Sequence, residues 1–323
     1  MTKILVTGMG GELGTRVAQL LEQKPWATEI VGVDFVPPRR RLRRAEFRRI
    51  DPRDRDKLVQ FVEDVAPNVV AHFGVYEPSS RMAPGSALER TELCTIAALS
   101  AAAHAGNLEY IVIRSGLEVY GPRSLHASVP DESVMPAPAT PYGTSLLQVE
   151  AIAAGVRARH DDVGVCALRY APVVGSHVPS PLGRLLRLPA VPVPAFADPP
   201  FSLLHPDDAA EAMVAAIECR YDGPLNVVGP GAATPWQAAR LGGRVPVPVL
   251  PPFWNATARL TEVAGAAIAP HIVELLRHGR TGSTGRAIGA LGLTNLRSTQ
   301  QVLRELFEWA NVVPIQTARE AVA

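Results

Sequence analysis

Residues Thr7-Gly8-Met9-Gly10-Gly11-Glu12-Leu13-Gly14 constrain the fold of this chain more than any other stretch. Before them, Lys3-Ile4-Leu5-Val6-Thr7 is short and mostly apolar, as a strand buried in a parallel sheet is. After them, Leu13, Val17, Leu20 and Leu21 recur at helical spacing. The order is therefore strand, glycine turn, helix. Glycines at 8, 11 and 14 permit a tight turn, close approach of the backbone to a pyrophosphate, and close packing of the helix on the strand. The free N–H groups of the helix N-terminus face the same anion. A glycine-rich loop without a ligand is the plainer alternative, and the flanking strand and helix argue against it.

About 20 residues past the glycine turn, as the dinucleotide pattern requires, Glu29-Ile30-Val31-Gly32-Val33-Asp34 reads as a second strand ending in an acid. Asp34 can hold a ribose diol and would repel a 2′-phosphate, so NAD is expected over NADP. Arg39, Arg40, Arg41, Arg43, Arg44, Arg48 and Arg49 follow closely. They are read as a solvated basic loop, with a phosphate clamp or an acidic docking partner as alternatives. Phe47 to Ile50 makes a third strand, and Asp51 in the turn after it is placed to meet an adenine. Asp54 caps the helix through Leu58, Phe61, Val62 and Val65. Asn68 to Gly74 is a fourth strand, whose end at Phe73 and Gly74 lets a cofactor lie against the backbone.

The alanine-rich span Ala87 to His104 is a long helix, Glu109 to Arg114 a fifth strand and Val163 to Tyr170 a sixth. A helix follows Pro141-Tyr142-Gly143. This alternation predicts an α/β fold with a doubly wound parallel sheet of Rossmann type. The dinucleotide-binding domain is expected over 1–170, with sheet elements returning at about 200–228. Residues 171–199 and 229–323 are expected to form a smaller substrate-binding lobe. The 30 prolines concentrate in the second half and predict loop-rich structure there rather than a second regular sheet; a last helix is expected over Thr299 to Ala310.

Composition narrows the function classes. A net charge of +1 gives no general pull toward nucleic acid or membrane, and no apolar run is long enough to cross a bilayer. The chain enters its first strand directly from Met1-Thr2-Lys3, leaving no room for a signal peptide, so a cytoplasmic location is expected. Cys94, Cys166 and Cys219 have no partners at metal-ligand spacing and are read as core thiols. His205, Asp207 and Asp208 lie close together, but helix capping explains them better than a metal does, so no metal site is expected.

Several motifs in order now support a family resemblance. They are the glycine turn, Asp34, the Asp51 turn, Val70-Ala71-His72-Phe73-Gly74, Val119-Tyr120-Gly121, Pro141-Tyr142-Gly143 with Ser145, Leu168-Arg169-Tyr170, and His205-Pro206-Asp207-Asp208. The chain resembles the extended short-chain dehydrogenases/reductases, in the NAD-dependent epimerase/dehydratase group typified by UDP-sugar 4-epimerases. The resemblance implies bound NAD, a nucleotide-sugar substrate, hydride exchange at a sugar carbinol, and a homodimer built through the helices at Ala87–His104 and Tyr142–Arg157. It further implies cofactor contacts from Gly8, Gly10, Gly11, Glu12, Leu13, Gly14, Asp34, Asp51, Phe73, Gly74, Tyr142 and Tyr170.

The family's chemistry uses a tyrosine that moves a proton, a lysine four residues later that binds ribose and lowers the tyrosine pKa, and a serine or threonine on the fifth strand. Tyr142 stands at the tyrosine position. Leu146 replaces the lysine, and Gly116 the hydroxyl, with Ser115 one residue too early but available by a one-residue slip. Loss of the lysine puts general acid–base assistance of about 10²- to 10⁴-fold at risk. Related dehydratases use acids near this strand end, so Glu118 is a candidate proton carrier, with a solvated loop residue as the plainer alternative. Arg114 is read as balancing phosphates or pairing with an acid, and Arg184 and Arg187 as diphosphate contacts or exposed helix charges. Whether the chain turns over is left open: an epimerase or dehydratase, a reductase of another small carbonyl, or a cofactor-binding regulatory or scaffold protein all satisfy these residues.

Overall fold

The computed structural model describes residues 2–308 apart from 123–125, 127 and 176. The last two residues of the helix expected over Thr299 to Ala310 lie outside that range. Seven parallel strands form one sheet in the order β3-β2-β1-β4-β5-β6-β8: β1 Thr2–Thr7, β2 Ala27–Asp34, β3 Glu46–Arg49, β4 Val69–His72, β5 Tyr110–Gly116, β6 Gly164–Tyr170 and β8 Gly223–Val227. Register is set by apolar runs: Ile4, Leu5 and Val6 lie opposite Ile30, Val31 and Gly32 on one side and Val69, Val70 and Ala71 on the other. Strands buried on both faces have no polar side to alternate, as their sequences show.

Helices cover both faces. On one side α1 (Glu12–Leu21) packs against α6 (Pro206–Cys219); on the other α2 (Arg55–Val65), α3 (Pro84–His104) and α4 (Pro141–Arg157) lie side by side. The chain reverses between β1 and β4, so the crevice beyond their carboxyl ends is where such sheets bind ligands. The expected doubly wound fold is the one observed.

A second apolar core lies under the remaining elements and includes Val174, Leu182, Leu185, Phe201, Trp254, Ile272, Leu275, Leu303 and Leu306. It is enclosed by α5 (Pro181–Leu186), β7 (Ala190–Pro194), α7 (Pro235–Leu241), β9 (Val245–Val249), α8 (Trp254–Val263), α9 (Pro270–His278) and α11 (Thr299–Glu308). Helix α10 (Gly285–Leu291), also C-terminal, packs instead on α6 and β8 beside the main sheet.

Contrary to the loop-rich expectation, β7 and β9 pair as a two-stranded parallel sheet. Their prolines fall at alternate positions, 192 and 194 against 246 and 248. The N–H groups of Val245 and Ala195 point across the pair, to the carbonyls of Pro189 and Val249. Every proline therefore has the opposite parity and loses no ladder hydrogen bond. Phe201 to Leu204 makes only isolated bridges, to Ala233, Arg280 and Val173. Cys94 and Cys166 are buried, whereas Cys219 is exposed rather than in the core.

Candidate active site

The glycine turn leaves β1 with Gly8 at φ +68°, its N–H donating to the Val33 carbonyl at 2.8 Å. A Cβ at Gly8 would lie 2.3 Å from the Phe73 oxygen, one at Gly10 2.0 Å from the Val36 oxygen, and one at Gly14 2.3 Å from the Gly8 oxygen. Side chains are excluded at all three positions by backbone. Thr15 fixes the turn from inside the helix, its hydroxyl donating to the Met9 carbonyl at 2.7 Å.

Gly8, Gly11, Glu12, Leu13, Gly14, Asp34 and Phe73 line one cleft. Asp34 ends β2 with only 2% of its surface exposed. Its Oδ1 accepts from the Phe35 N–H at 2.7 Å and the Tyr76 hydroxyl at 3.3 Å. Burial raises its pKa to about 6, against the lowering effects of those two donors and of Arg81. Glu12 is buried and held by Arg16 and Arg40, each at 3.0 Å. Gly74, under the cleft, packs on Cys94 and His72. Asp51 lies outside the cleft lining and pairs with Arg53 at 2.8 Å and Arg90 at 3.3 Å. The hydrogen bonds from Arg53 hold its pKa far below the usual carboxylate range.

A smaller cavity adjoins the cleft and is lined by Arg114, Ser115, Gly116, Glu118, Tyr142 and Tyr170. Glu77, Arg114 and Val173 line both spaces. Thr140 caps α4, its hydroxyl accepting from the Gly143 N–H at 3.2 Å, and so fixes Tyr142 in the first turn. Burial pushes the Tyr142 phenol well above its ordinary pKa; Arg114 opposes this, Glu77 and Glu118 add to it, and Arg280 opposes it more weakly.

Leu146 is buried against Gly116, where a Cβ would lie 3.1 Å from a Leu146 methyl and 2.3 Å from Glu118 Oε2. The Glu118 carboxylate thus occupies the space that a side chain at 116 would need. Its other oxygen accepts from Arg280 at 2.9 Å, and Arg280 also binds Glu274 at 2.9 Å. The Ser115 hydroxyl turns to Glu150 at 2.5 Å, and Glu150 is gripped by Arg169 through bonds of 3.0 and 2.7 Å.

Other residues entered the site without a sequence signal. His271, from α9, stacks at a tilt on Tyr142 with centroids 4.8 Å apart, and its Nε2 lies 3.2 Å from Glu77. Glu77, Ser80, Arg81 and Met82 follow β4, and the rule that ligands bind beyond carboxyl strand ends points to that segment. Arg184 donates to the backbone carbonyls of Ser79 and Ser80, and Arg187 to that of Leu306, so neither guanidinium is aimed into the cleft by these bonds. The basic stretch after Asp34 is partly structural: Arg44 donates to the Leu21 and Ala27 carbonyls and Arg49 to the Phe35 carbonyl. At α6, His205 Nδ1 caps the helix by accepting from the Asp207 N–H, while Asp207 pairs with Arg16. Among the described residues, no cluster of three histidines, cysteines or acids could hold a metal.

A doubly wound sheet with a glycine turn after β1, an acid at the end of β2 and a buried tyrosine beyond β5 is the arrangement of dinucleotide-binding α/β proteins. The chain belongs to the NAD-dependent epimerase/dehydratase family, whose sequence profile it matches over residues 4–228. It is similar to an uncharacterized protein of Mycobacterium tuberculosis, 28% identical over an alignment of 326 positions, gaps included, that covers 97% of this chain and 85% of that one. Solved structures share the fold. MoeE5 in complex with UDP-glucuronic acid and NAD is 24% identical with a TM-score of 0.72, covering 95% of this chain and 98% of that one. UDP-glucose 4-epimerase from Thermotoga maritima with UDP-glucose is 18% identical with a TM-score of 0.73, covering 96% and 98%.

Proposed function

We propose that this protein binds NAD and acts on a nucleotide sugar, with Tyr142 carrying the proton at a sugar carbinol. The observation that supports this most is that the two spaces adjoin. The cleft beside the glycine turn and Asp34 and the cavity that holds Tyr142 share Glu77, Arg114 and Val173 in their linings. The residues fit the dinucleotide: the turn carries glycine at 8, 10, 11 and 14, with a Cβ excluded by backbone at 8, 10 and 14, and the buried Asp34 at the end of β2 lines the same cleft as Gly8, Gly11 and Gly14. When bound, NAD would supply hydride acceptance and return. Gly8, Gly11, Glu12, Leu13 and Gly14 would hold its phosphates, Asp34 its ribose, and Phe73, Gly74 and Tyr170 the walls. MoeE5 is crystallised with a UDP-sugar and NAD, which favours the same ligand classes here.

The test is to add UDP-hexoses to NAD-loaded protein and follow the absorbance of the reduced nicotinamide. Transient reduction, absent in Tyr142→Phe, is the expected result; a cofactor that stays oxidised with every sugar nucleotide sinks the reading.

A second reading has its own support. Leu146 closes on Gly116, and burial keeps Tyr142 protonated in the free protein, as in a cofactor-binding regulatory protein without turnover. Bound NAD with no redox response to any sugar nucleotide or small carbonyl is its outcome. We also propose a cytoplasmic homodimer through α3 and α4, whose outer groove carries the half-buried Ile96 and Ile152 beside small residues. Among the described residues, no helix is long and apolar enough to cross a membrane.

A further inference from the structure

A buried phenol that is to release a proton needs a cation beside it, and α4 supplies none where its next turn faces Tyr142: Leu146 is there. The groups that face Tyr142 come from five elements. Glu77 lies after β4, Arg114 on β5, Glu118 in the turn after β5, and Arg280 beyond α9, while the His271 ring on α9 stacks on the phenol. Two of these are cations. Arg280 is committed: it bridges the buried Glu118 and Glu274, and a third bond reaches the His271 carbonyl at 3.4 Å. Arg114 is different. Its one hydrogen bond among the described residues is from Nη1 to the Val75 carbonyl at 3.2 Å, although a guanidinium carries five donors. It is the only cation lining the Tyr142 cavity among the described residues, and it also lines the cofactor cleft.

We propose that Arg114 is the cation that serves both Tyr142 and the ribose of a bound adenine dinucleotide, reaching the site from the sheet rather than from helix α4. This rests on the reading of Tyr142 as proton carrier. A dinucleotide with its pyrophosphate on the glycine turn and its reactive end at Tyr142 must pass the junction that Arg114 lines. There the guanidinium offers spare N–H donors to ribose oxygens, and its charge favours the phenolate against burial, Glu77 and Glu118. Those anions in turn keep Arg114 charged: burial works against the cation, but Tyr142, Glu77, Glu118 and Tyr170 outweigh it.

Two measurements on the full chain test this without turnover. NAD affinity is measured by calorimetry for wild type, Arg114→Met, Arg114→Gln and Arg114→Lys. In parallel, a fluorotyrosine placed at 142, whose lower intrinsic pKa brings ionisation into reach, is titrated by fluorine NMR in the same backgrounds. Loss of a charged donor should weaken NAD by about tenfold or more in the Met and Gln variants. Loss of the charge should raise the phenol pKa by about one unit, which is tenfold less phenolate at a given pH. Arg114→Lys should retain most of both, and adding Leu146→Lys to Arg114→Met should return the phenol toward its wild-type titration. Should Arg114→Met fail to fold, Arg114→Gln carries the test, since it keeps a donor for the Val75 carbonyl.

Folded variants with unchanged NAD affinity and unchanged titration would overturn the proposal and leave Arg114 a strut for the segment after β4. Wild-type protein that binds no NAD would sink the reading of the site instead. The titration in free protein would still decide whether Arg114 acts on Tyr142.

Discussion

Replacing Asp34 by Asn should make the free protein more stable and the cofactor-binding protein weaker. In the native chain burial raises the Asp34 carboxyl pKa to about 6, against an ordinary value of 3.8. The folded state therefore binds more protons between those values, and stability falls as pH rises through that window. The difference corresponds to about 3 kcal/mol of native-state cost once the carboxylate is fully ionised. Asn removes that cost while its Oδ1 can still accept from the Phe35 N–H and the Tyr76 hydroxyl.

Urea unfolding of NAD-free protein should then show Asp34→Asn more stable than wild type at neutral pH, by up to about 3 kcal/mol, with the gap closing below about pH 4. NAD affinity should move the other way, because a ribose diol loses an ionised acceptor worth about 1.5–3 kcal/mol, or roughly 10- to 150-fold. For the same reason wild-type affinity should decline as pH drops below 6, and that of Asp34→Asn should not. A variant less stable than wild type at neutral pH, or a stability gap independent of pH, would refute the claim that Asp34 is held ionised at a cost for the sake of a ligand.

Three further perturbations follow from the same geometry. Gly10→Ala drives a methyl to 2.0 Å from the Val36 oxygen, so it should destabilise the fold by about 1–3 kcal/mol in urea and abolish measurable NAD binding. Arg280→Met leaves Glu118 and Glu274 buried without their cation and should cost about 3–5 kcal/mol, read as a lowered unfolding midpoint. Burial pushes the pKa of His72, wedged between Thr7 and Thr95, down to about 3 from 6.5; the unfolded chain therefore binds the extra proton and stability should fall as pH drops across that window, a slope that His72→Gln should flatten.

The sheet was legible because its information is local. Strands β1, β2 and β4 to β6 are short apolar runs joined by periodic helices, so they could be placed from residue patterns, whereas β3 is a polar edge strand that follows β2 with no helix between them. The small β7–β9 sheet was not, since proline normally speaks against a ladder. Only the pairing shows that every proline sits on the parity that donates nothing. The cofactor half of the site was legible for a similar reason: the glycine turn and Asp34 are set by one βαβ unit. His271 and Arg280 reach Tyr142 from more than 120 residues away in sequence, through a lobe whose packing no period encodes.

That long-range half also changes how a restored site must be built. By sequence, Gly116→Ser with Leu146→Lys would return the two missing groups. In the fold, a Cβ at 116 meets Glu118 Oε2 at 2.3 Å, so the serine would have to displace a carboxylate whose other oxygen is held by Arg280. The double substitution should therefore lose stability, whereas adding Glu118→Gln or Glu118→Ala relieves the contact in graded fashion. Of the two, Ala clears the space but strands Arg280 with Glu274 alone; Gln keeps an acceptor for Arg280 but little room. If the triple variant with Ala folds as well as wild type and gains cofactor reduction by sugar nucleotides, Glu118 merely fills the place of a lost hydroxyl. If every variant lacking the carboxylate loses a reduction that wild type shows, Glu118 is itself part of the chemistry, and the departures at 116 and 146 mark a rebuilt centre rather than a lapsed one.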